Sequence, residues 1–274
     1  MTDTWRLLLD PKPGRGAWNM AVDEAILEST GRKEALPTLR LYAWQPACLS
    51  LGYAQSIQDV DQDGLRNLGW DLVRRPTGGR AVLHVDELTY SVSGPSDEPR
   101  LAGTVLESYN RIAAALVHAL DSLGLPVQVQ QLQPGNTRNA NPVCFQEPST
   151  YEITVNGKKL IGSAQVRRRE GVLQHGAVPL LGDLGRITQV LVYGDELSRD
   201  RARHQLLQQA TTVENALGRQ VSWQEAANAL MEAFSTVMEL HLAVETLSEP
   251  EINRAKDLEA GKYTHPEWTK RKTG

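Results

Sequence analysis

Only two cysteines, Cys48 and Cys144, occur in the 274 residues. That excludes a disulfide framework and fits a reducing compartment. No stretch of eighteen apolar residues occurs, and Met1 to Arg6 leads straight into Leu7-Leu8-Leu9 without a basic segment and apolar core. Neither a membrane span nor a signal peptide is expected, so the protein is expected to be soluble, cytoplasmic and without a membrane partner. Positive charge is not in excess: 29 Lys and Arg face 33 Asp and Glu, a net charge of −4. This argues against a nucleic-acid binder held by a general basic surface. Two local clusters stand apart, Arg74, Arg75 and Arg80, and Arg167 to Arg169, although such runs are more commonly solvated faces. No histidine, cysteine or carboxylate cluster has metal-ligand spacing, and no metal is expected. Internal repeats, low-complexity segments and linkers are also missing, so one domain spanning 1–274 is the economical reading.

The elements alternate in type. Residues 18–30 read as a helix, with Asn19 as a possible cap and acids near its start. Leu39–Trp44 and Ala47–Leu51 read as strands split by a turn at Gln45-Pro46, and a short helix is expected within 56–67. Trp70–Arg74 reads as a strand, and Glu87–Val92 alternates polar and apolar residues with the period of a half-buried strand. Val105, Tyr109, Ile112, Leu116, Leu120 and Leu123 form one face of a helix over 104–123, stopped by Gly124-Leu125-Pro126. Residues 133–142 are polar and aperiodic, a loop before Cys144. Strands are expected at Tyr151–Val155 and Lys159–Gln165, joined by the hairpin signal Asn156-Gly157. From about 199 the chain reads as helical, with capping boxes at Ser222–Glu225 and Ser248–Glu251. The tail, with Tyr263 and Trp268, is too aromatic for plain disorder and is expected to dock on the body.

Several residues carry chemistry. Cys144 is a candidate nucleophile if exposed beside positive charge; a buried cysteine acting as a small hydrophobe is the alternative, and is how Cys48 reads. Lys158 and Lys159 follow the hairpin turn, so they point to opposite faces and at most one meets a pocket; two solvated lysines are the alternative. The Gly78-Gly79 loop lets main-chain N–H groups approach an anion or carbonyl, but it matches neither a Walker loop nor a dinucleotide fingerprint. His84 and His175 fit either an acid–base or polar contact role or a satisfied structural one.

Taken together, the stretch from Arg74 to His84, the run Gly157-Lys158-Lys159-Leu160-Ile161-Gly162-Ser163-Ala164-Gln165, and Gln174-His175-Gly176 resemble the biotin/lipoate protein ligase superfamily. Asn19-Met20-Ala21-Val22-Asp23-Glu24 resembles that group's N-terminal helix, and Cys144 to Glu152 is most similar to its ligase-like protein N-octanoyltransferases. The resemblance runs from about Trp5 to Trp268. It implies an α/β (α+β) fold of the class II aminoacyl-tRNA/biotin synthetase type, with a mixed, largely antiparallel sheet and a helical C-terminal part. It also implies octanoyl transfer from octanoyl-acyl carrier protein to a lysine of a lipoyl domain, such as the glycine-cleavage H protein or an E2 subunit, in lipoate biosynthesis. Cys144 would carry the acyl group as a thioester and Lys159 would contact the acyl carbonyl. Arg75, Gly78, Gly79, Arg80, Ala81, His84, Gly162, Ser163, Ala164, His175 and Gly176 would form the substrate site. No cofactor is implied.

The rival is an ATP-dependent lipoate–protein ligase, which would need ATP and magnesium. Arg80 stands where such ligases usually carry a third glycine and is expected to crowd an adenylate. The chain is also expected to lack the accessory domain many ligases have. An amidotransferase moving octanoyl or lipoyl groups between lipoyl domains would use the same thiol, and a catalytically inactive acyl-carrier-binding module is the non-enzymatic alternative.

Overall fold

The computed structural model describes residues 3–131, 151–169 and 171–271. Among them, strands form two sheets. The larger has eight strands: β1 (Asp3–Gly14), β2 (Thr38–Trp44), β6 (Glu87–Gly94), β7 (Val127–Gln131), β8 (Tyr151–Val155), β9 (Lys158–Arg168), β10 (Gly171–Pro179) and β11 (Leu240–Glu245). Their spatial order is β11-β1-β2-β6-β10-β9-β8-β7. β1 runs parallel to both β11 and β2, and every other pairing in this sheet is antiparallel. The smaller sheet holds β3 (Cys48–Leu51) between β4 (Asp71–Arg74) and β5 (Val82–His84). The mixed, largely antiparallel α/β architecture expected from the sequence is the one observed.

Helices cover both faces of the large sheet, the layered solution that buries an apolar stripe on each element. On one face α3 (Val105–Ser122) and α6 (Trp223–Val237) bring Ile112, Leu116, Leu120, Leu230 and Phe234 onto Leu39, Leu41, Leu88 and Val92. On the other, α1 (Gly16–Gly31) packs Met20, Val22 and Ile26 with Leu8, Tyr42 and, from the small sheet, Cys48 and Val73. Gly16 sits so close to β3 that a Cβ there would stand 2.4 Å from Cys48 Sγ. Cys48 is wholly buried and burial pushes its thiol well up, as befits a core residue.

Several local expectations need correction. α1 begins before Asn19, and its cap position, Arg15, makes no side-chain cap bond. Asn19 lies inside the helix and donates to the carbonyls of Gly14 and Ala43, so it fixes the helix against β1 and β2 rather than capping it. β6 is buried along its whole length. Its period-two pattern is real, but Thr89 and Ser91 meet buried polar partners instead of water. Val105, expected on the buried face of α3, is 54% exposed, because the buried stripe shifts to Ser108, Ile112, Ala115 and Ala119. The polar stretch 56–67 divides into a 3-10 turn, Ile57–Asp59, and α2 (Gln62–Asn67).

The C-terminal part is helical from α4 (Glu196–Gln209) through α5 (Val213–Leu217) and α6, then returns to the large sheet as β11. The alternation that makes β11 a strand is Leu240, Leu242 and Val244; the first two pack on the core and Val244 is exposed. α7 (Glu249–Leu258) opens with the expected capping box, in which Ser248 and Glu251 bond reciprocally. Ser222 accepts from the Glu225 N–H at the head of α6. Glu251 also takes both guanidinium nitrogens of Arg6 at 2.8 and 2.6 Å, tying α7 to β1. A π-helical turn, Glu259–Tyr263, and α8 (Pro266–Thr269) then dock on the body. No helix among the described residues is long and apolar enough to cross a membrane.

Candidate active site

A cleft lies between the two sheets, with Met20 of α1 beside it. Tyr42, Trp44, Thr89, Gly162 to Ala164 and His175 to Ala177 supply the large-sheet wall. Ser50, Val82 and His84 of the small sheet, with Arg75 and Gly79 from the loop between β4 and β5, supply the other. The cleft encloses about 450 Å³ of empty space, its open mouth included. Trp44 and His84 stack face to face, ring centroids 4.0 Å apart, and give it a flat aromatic side.

The polar groups along the cleft are bonded to one another. His84 Nε2 lies 2.7 Å from Ser50 Oγ and Nδ1 2.7 Å from Glu87 Oε1. The Glu87 carboxylate accepts from His84 Nδ1–H, and Nε2 shares a hydrogen bond with the Ser50 hydroxyl. Thr89 donates to the same Glu87 oxygen and accepts from Trp44 Nε1. On the opposite side His175 Nε2 lies 2.7 Å from Thr77 Oγ1 and Nδ1 3.2 Å from Asp23 Oδ2. Asp23 is fully buried and also receives Arg40 Nη1 at 2.8 Å, Tyr42 OH at 2.9 Å and Ser91 Oγ at 2.9 Å. Burial pushes its carboxyl up, but the His175 hydrogen bond and the Arg40 charge outweigh this and hold it below the ordinary range. Burial lowers His175 more than Asp23 raises it, which favours the neutral imidazole.

The loop after β4 is drawn inward by Arg75. Its Nη2 donates to the carbonyls of Gly78 at 2.8 Å and Arg80 at 2.7 Å, and its Nη1 to Ser50 O and Oγ, both at 3.1 Å. Gly79 has φ +92°, and its carbonyl passes so near Gly52 that a Cβ on Gly52 would lie 1.8 Å from it. Glycine is thus required at both positions. Gly176 is required on steric grounds too, since a Cβ would stand 2.6 Å from the Tyr90 ring and 2.7 Å from Ser163 Oγ.

Eight residues expected at a substrate site line this cleft: Arg75, Gly79, His84, Gly162, Ser163, Ala164, His175 and Gly176. Three do not. Gly78 and Arg80 contribute the carbonyls that Arg75 gathers, and Ala81 is wholly buried in the core of the small sheet. The expected crowding by Arg80 therefore finds no support in the cleft lining. Lys159 is also absent from the lining. The hairpin at Asn156-Gly157 forms with φ of 52° and 75°, and the two lysines do separate. Lys158 donates to Leu207 O, while Lys159 is buried and pairs with Glu152 at 2.7 Å, so neither is a freely solvated turn lysine. Cys144 lies outside the described residues, as does the loop expected over 133–142. Among the described residues no group of three or more His, Cys, Asp or Glu side chains could hold a metal ion.

Sequence reasoning missed Asp23, Ser50, Thr77 and Glu87, which orient the two histidines and Arg75. For Asp23 the available signal was a carboxylate at helical spacing from Met20, Ile26 and Leu27, on the face those apolar side chains define. Such a position demands a buried partner.

Residues 15–235 match the profile of the lipoyl protein ligase A/B catalytic domain. The chain belongs to that family. Among the relatives of this lipoyl protein ligase A/B member is Octanoyltransferase LipM of Kyrpidia tusciae, 42% identical over 274 residues, covering 98% of this chain and 99% of the relative. Octanoyltransferase LipM of Bacillus subtilis (strain 168) is 35% identical over 272 residues, covering 97% and 98%. Among solved structures, a bipartite lipoate protein ligase of Thermoplasma acidophilum superposes with a TM-score of 0.81 at 28% identity, covering 98% of this chain and 97% of that one. A lipoate-protein ligase A bound with ATP superposes with a TM-score of 0.78 at 29% identity, covering 98% and 99%.

Proposed function

We propose that this lipoyl protein ligase A/B family member is an octanoyl-[acyl carrier protein]:protein N-octanoyltransferase of lipoate biosynthesis. The observation that carries this reading is the cleft between the sheets. Its walls are apolar and aromatic, and the histidines, hydroxyls and carboxylates beside it already bond to one another. An unbranched acyl chain asks for such a surface, whereas a polar ligand needs donors and acceptors directed at it. The relatives named as octanoyltransferases, 35% to 42% identical over nearly the whole chain, support the acyl group and the reaction.

In the proposed reaction Cys144 attacks the thioester carbonyl of octanoyl-acyl carrier protein. A new C–S bond forms as the carrier's thiol leaves with the proton. The neutral amine of a lipoyl-domain lysine then attacks the octanoyl-Cys144 thioester; an amide C–N bond forms, the C–S bond breaks, and Cys144 regains its proton. Lys159, paired with Glu152 outside the cleft lining, is assigned the role of favouring the Cys144 thiolate through its charge. The Gly78-Gly79 stretch brings main chain close to the acyl group.

The experiment is transfer with purified components: octanoyl-acyl carrier protein as donor, a lipoyl domain as acceptor, and no ATP. Octanoyl-lysine on the acceptor is the expected product. Modification that requires ATP and free lipoate would replace this reading by the ligase one, which the likeness to an ATP-bound lipoate-protein ligase A favours. Transfer from an octanoylated lipoyl domain, with the acyl carrier protein inert as donor, would make the protein an amidotransferase.

A further inference from the structure

Residues 262–271 lie beyond the part of the chain that the family profile matches, yet they reach back to β4 of the small sheet and to α1, two elements that flank the cleft. On one side Trp268 Nε1 donates to Arg74 O at 2.8 Å, at the point where β4 enters the arginine-glycine loop. The Arg74 side chain is wholly buried, and its Nη2 returns to Thr269 O at 2.8 Å. The same guanidinium gathers the carbonyls of Gly52 at 2.8 Å and Gln55 at 2.6 Å through Nη1. The turn it shapes touches the loop directly: Tyr53 N–H donates to Thr77 O at 2.8 Å, and Gly52 abuts Gly79. Thr77 in turn holds His175. On the other side Lys262 and Tyr263 both donate to Glu24, the neighbour of Asp23 on α1. Lys262 and Arg271 lie over the Trp268 ring at 4.1 and 5.2 Å, and Arg271 over Tyr53 at 4.0 Å.

A segment needed only to cover apolar surface has no reason to hydrogen-bond, in both directions, the strand residue from which the substrate loop starts. We propose that residues 262–271 form a positioning strap: Trp268 and Thr269, acting through Arg74, set the loop 75–79 in place for acyl transfer. Trp268 is a positioning residue and touches no reacting atom. Displacement of a substrate loop by about 1 Å is enough to cost one to two orders of magnitude in rate.

The test uses the full chain with Trp268→Phe, which keeps an aromatic ring and removes the N–H donor, and Trp268→Ala, which removes both. Arg254→Ala is the control, since it breaks only the exposed ion pair of α7 with Glu28. Two quantities are read in each variant: hydrogen exchange of the amides in 75–81, and the saturating rate and KM of octanoyl transfer. Trp268→Phe is expected to speed exchange in 75–81 and to lower the saturating rate about tenfold with KM less affected. Its thermal midpoint should stay near the parent's. Trp268→Ala should do more, and Arg254→Ala should leave both readouts unchanged. Unaltered exchange and rate in both Trp268 variants would overturn the strap, as would the same loosening in Arg254→Ala. So would a lowered midpoint with the rate of the folded fraction unchanged. The kinetic arm rests on the proposed octanoyltransferase activity. Should the parent fail to transfer octanoate, that reading falls and exchange alone decides the strap.

Discussion

Replacing Cys144 by serine is expected to abolish octanoyl transfer to a lipoyl domain, a loss of at least about 10⁴-fold in turnover. A serine hydroxyl in place of the thiol stays protonated at neutral pH and forms an ester that an amine attacks less readily than a thioester. The fold should be intact by circular dichroism and thermal midpoint. The contrast is Cys48, which is buried against Gly16 with its thiol pushed far up; Cys48→Ala should retain transfer and show its cost in stability. Wild-type turnover in Cys144→Ser would end the thioester mechanism.

The largest effect on stability is expected at Asp23. Asp23→Ala leaves the Arg40 guanidinium, 1% exposed, without its buried counter-charge and frees the hydroxyls of Tyr42 and Ser91. Breaking a buried, hydrogen-bonded ion pair costs about 3–5 kcal/mol. The Asp10 carboxylate on Arg40 Nε is 41% exposed and compensates only in part. For a chain of this size that corresponds to a midpoint lower by on the order of 10 °C, read by calorimetry or circular dichroism. A change of a degree or less would mean that the Asp23 network carries little of the stability.

The same groups set a pH dependence. His175 is held below its ordinary value of 6.5, so the unfolded chain takes up this proton first. Its contribution is complete above about pH 6.5 and is lost as pH falls below it. Asp23 is held below 3.8 and Glu251 below 4.5, so their contributions are present above those values and disappear as pH falls further. Stability should therefore fall in two stages on acidification, the first tied to His175.

The cleft was partly legible in the sequence because its main-chain demands leave residue signatures. Gly79 and Gly176 mark places where a loop and a strand are approached too closely for side chains, and six of the eight expected residues that line the cleft come from Gly79, Gly162 to Ala164 and His175-Gly176. Helices and strands with a clear period and a stop signal, such as α3, emerged with ends close to those observed. What failed to show is what tertiary contact decides. β6 has the pattern of a strand facing water, yet its polar side faces Asp23 and the cleft. β11 is six residues whose strand state depends on the open edge of β1 far earlier in the chain. Lys159 reads as a turn lysine, and only its Glu152 partner across the hairpin shows why it is buried. The strap was foreseen only as a docking tail, since its hydrogen bonds go to main-chain atoms that carry no residue signature.

The intact mass of the purified protein, taken after incubation with octanoyl-acyl carrier protein and no ATP, tests the central claim most directly. A single octanoyl adduct, released by hydroxylamine, missing in Cys144→Ser and passed on when a lipoyl domain is added, is the predicted result. An unmodified protein, with lipoylation appearing only when ATP and free lipoate are supplied, would contradict it and leave Cys144 without a role in the chemistry.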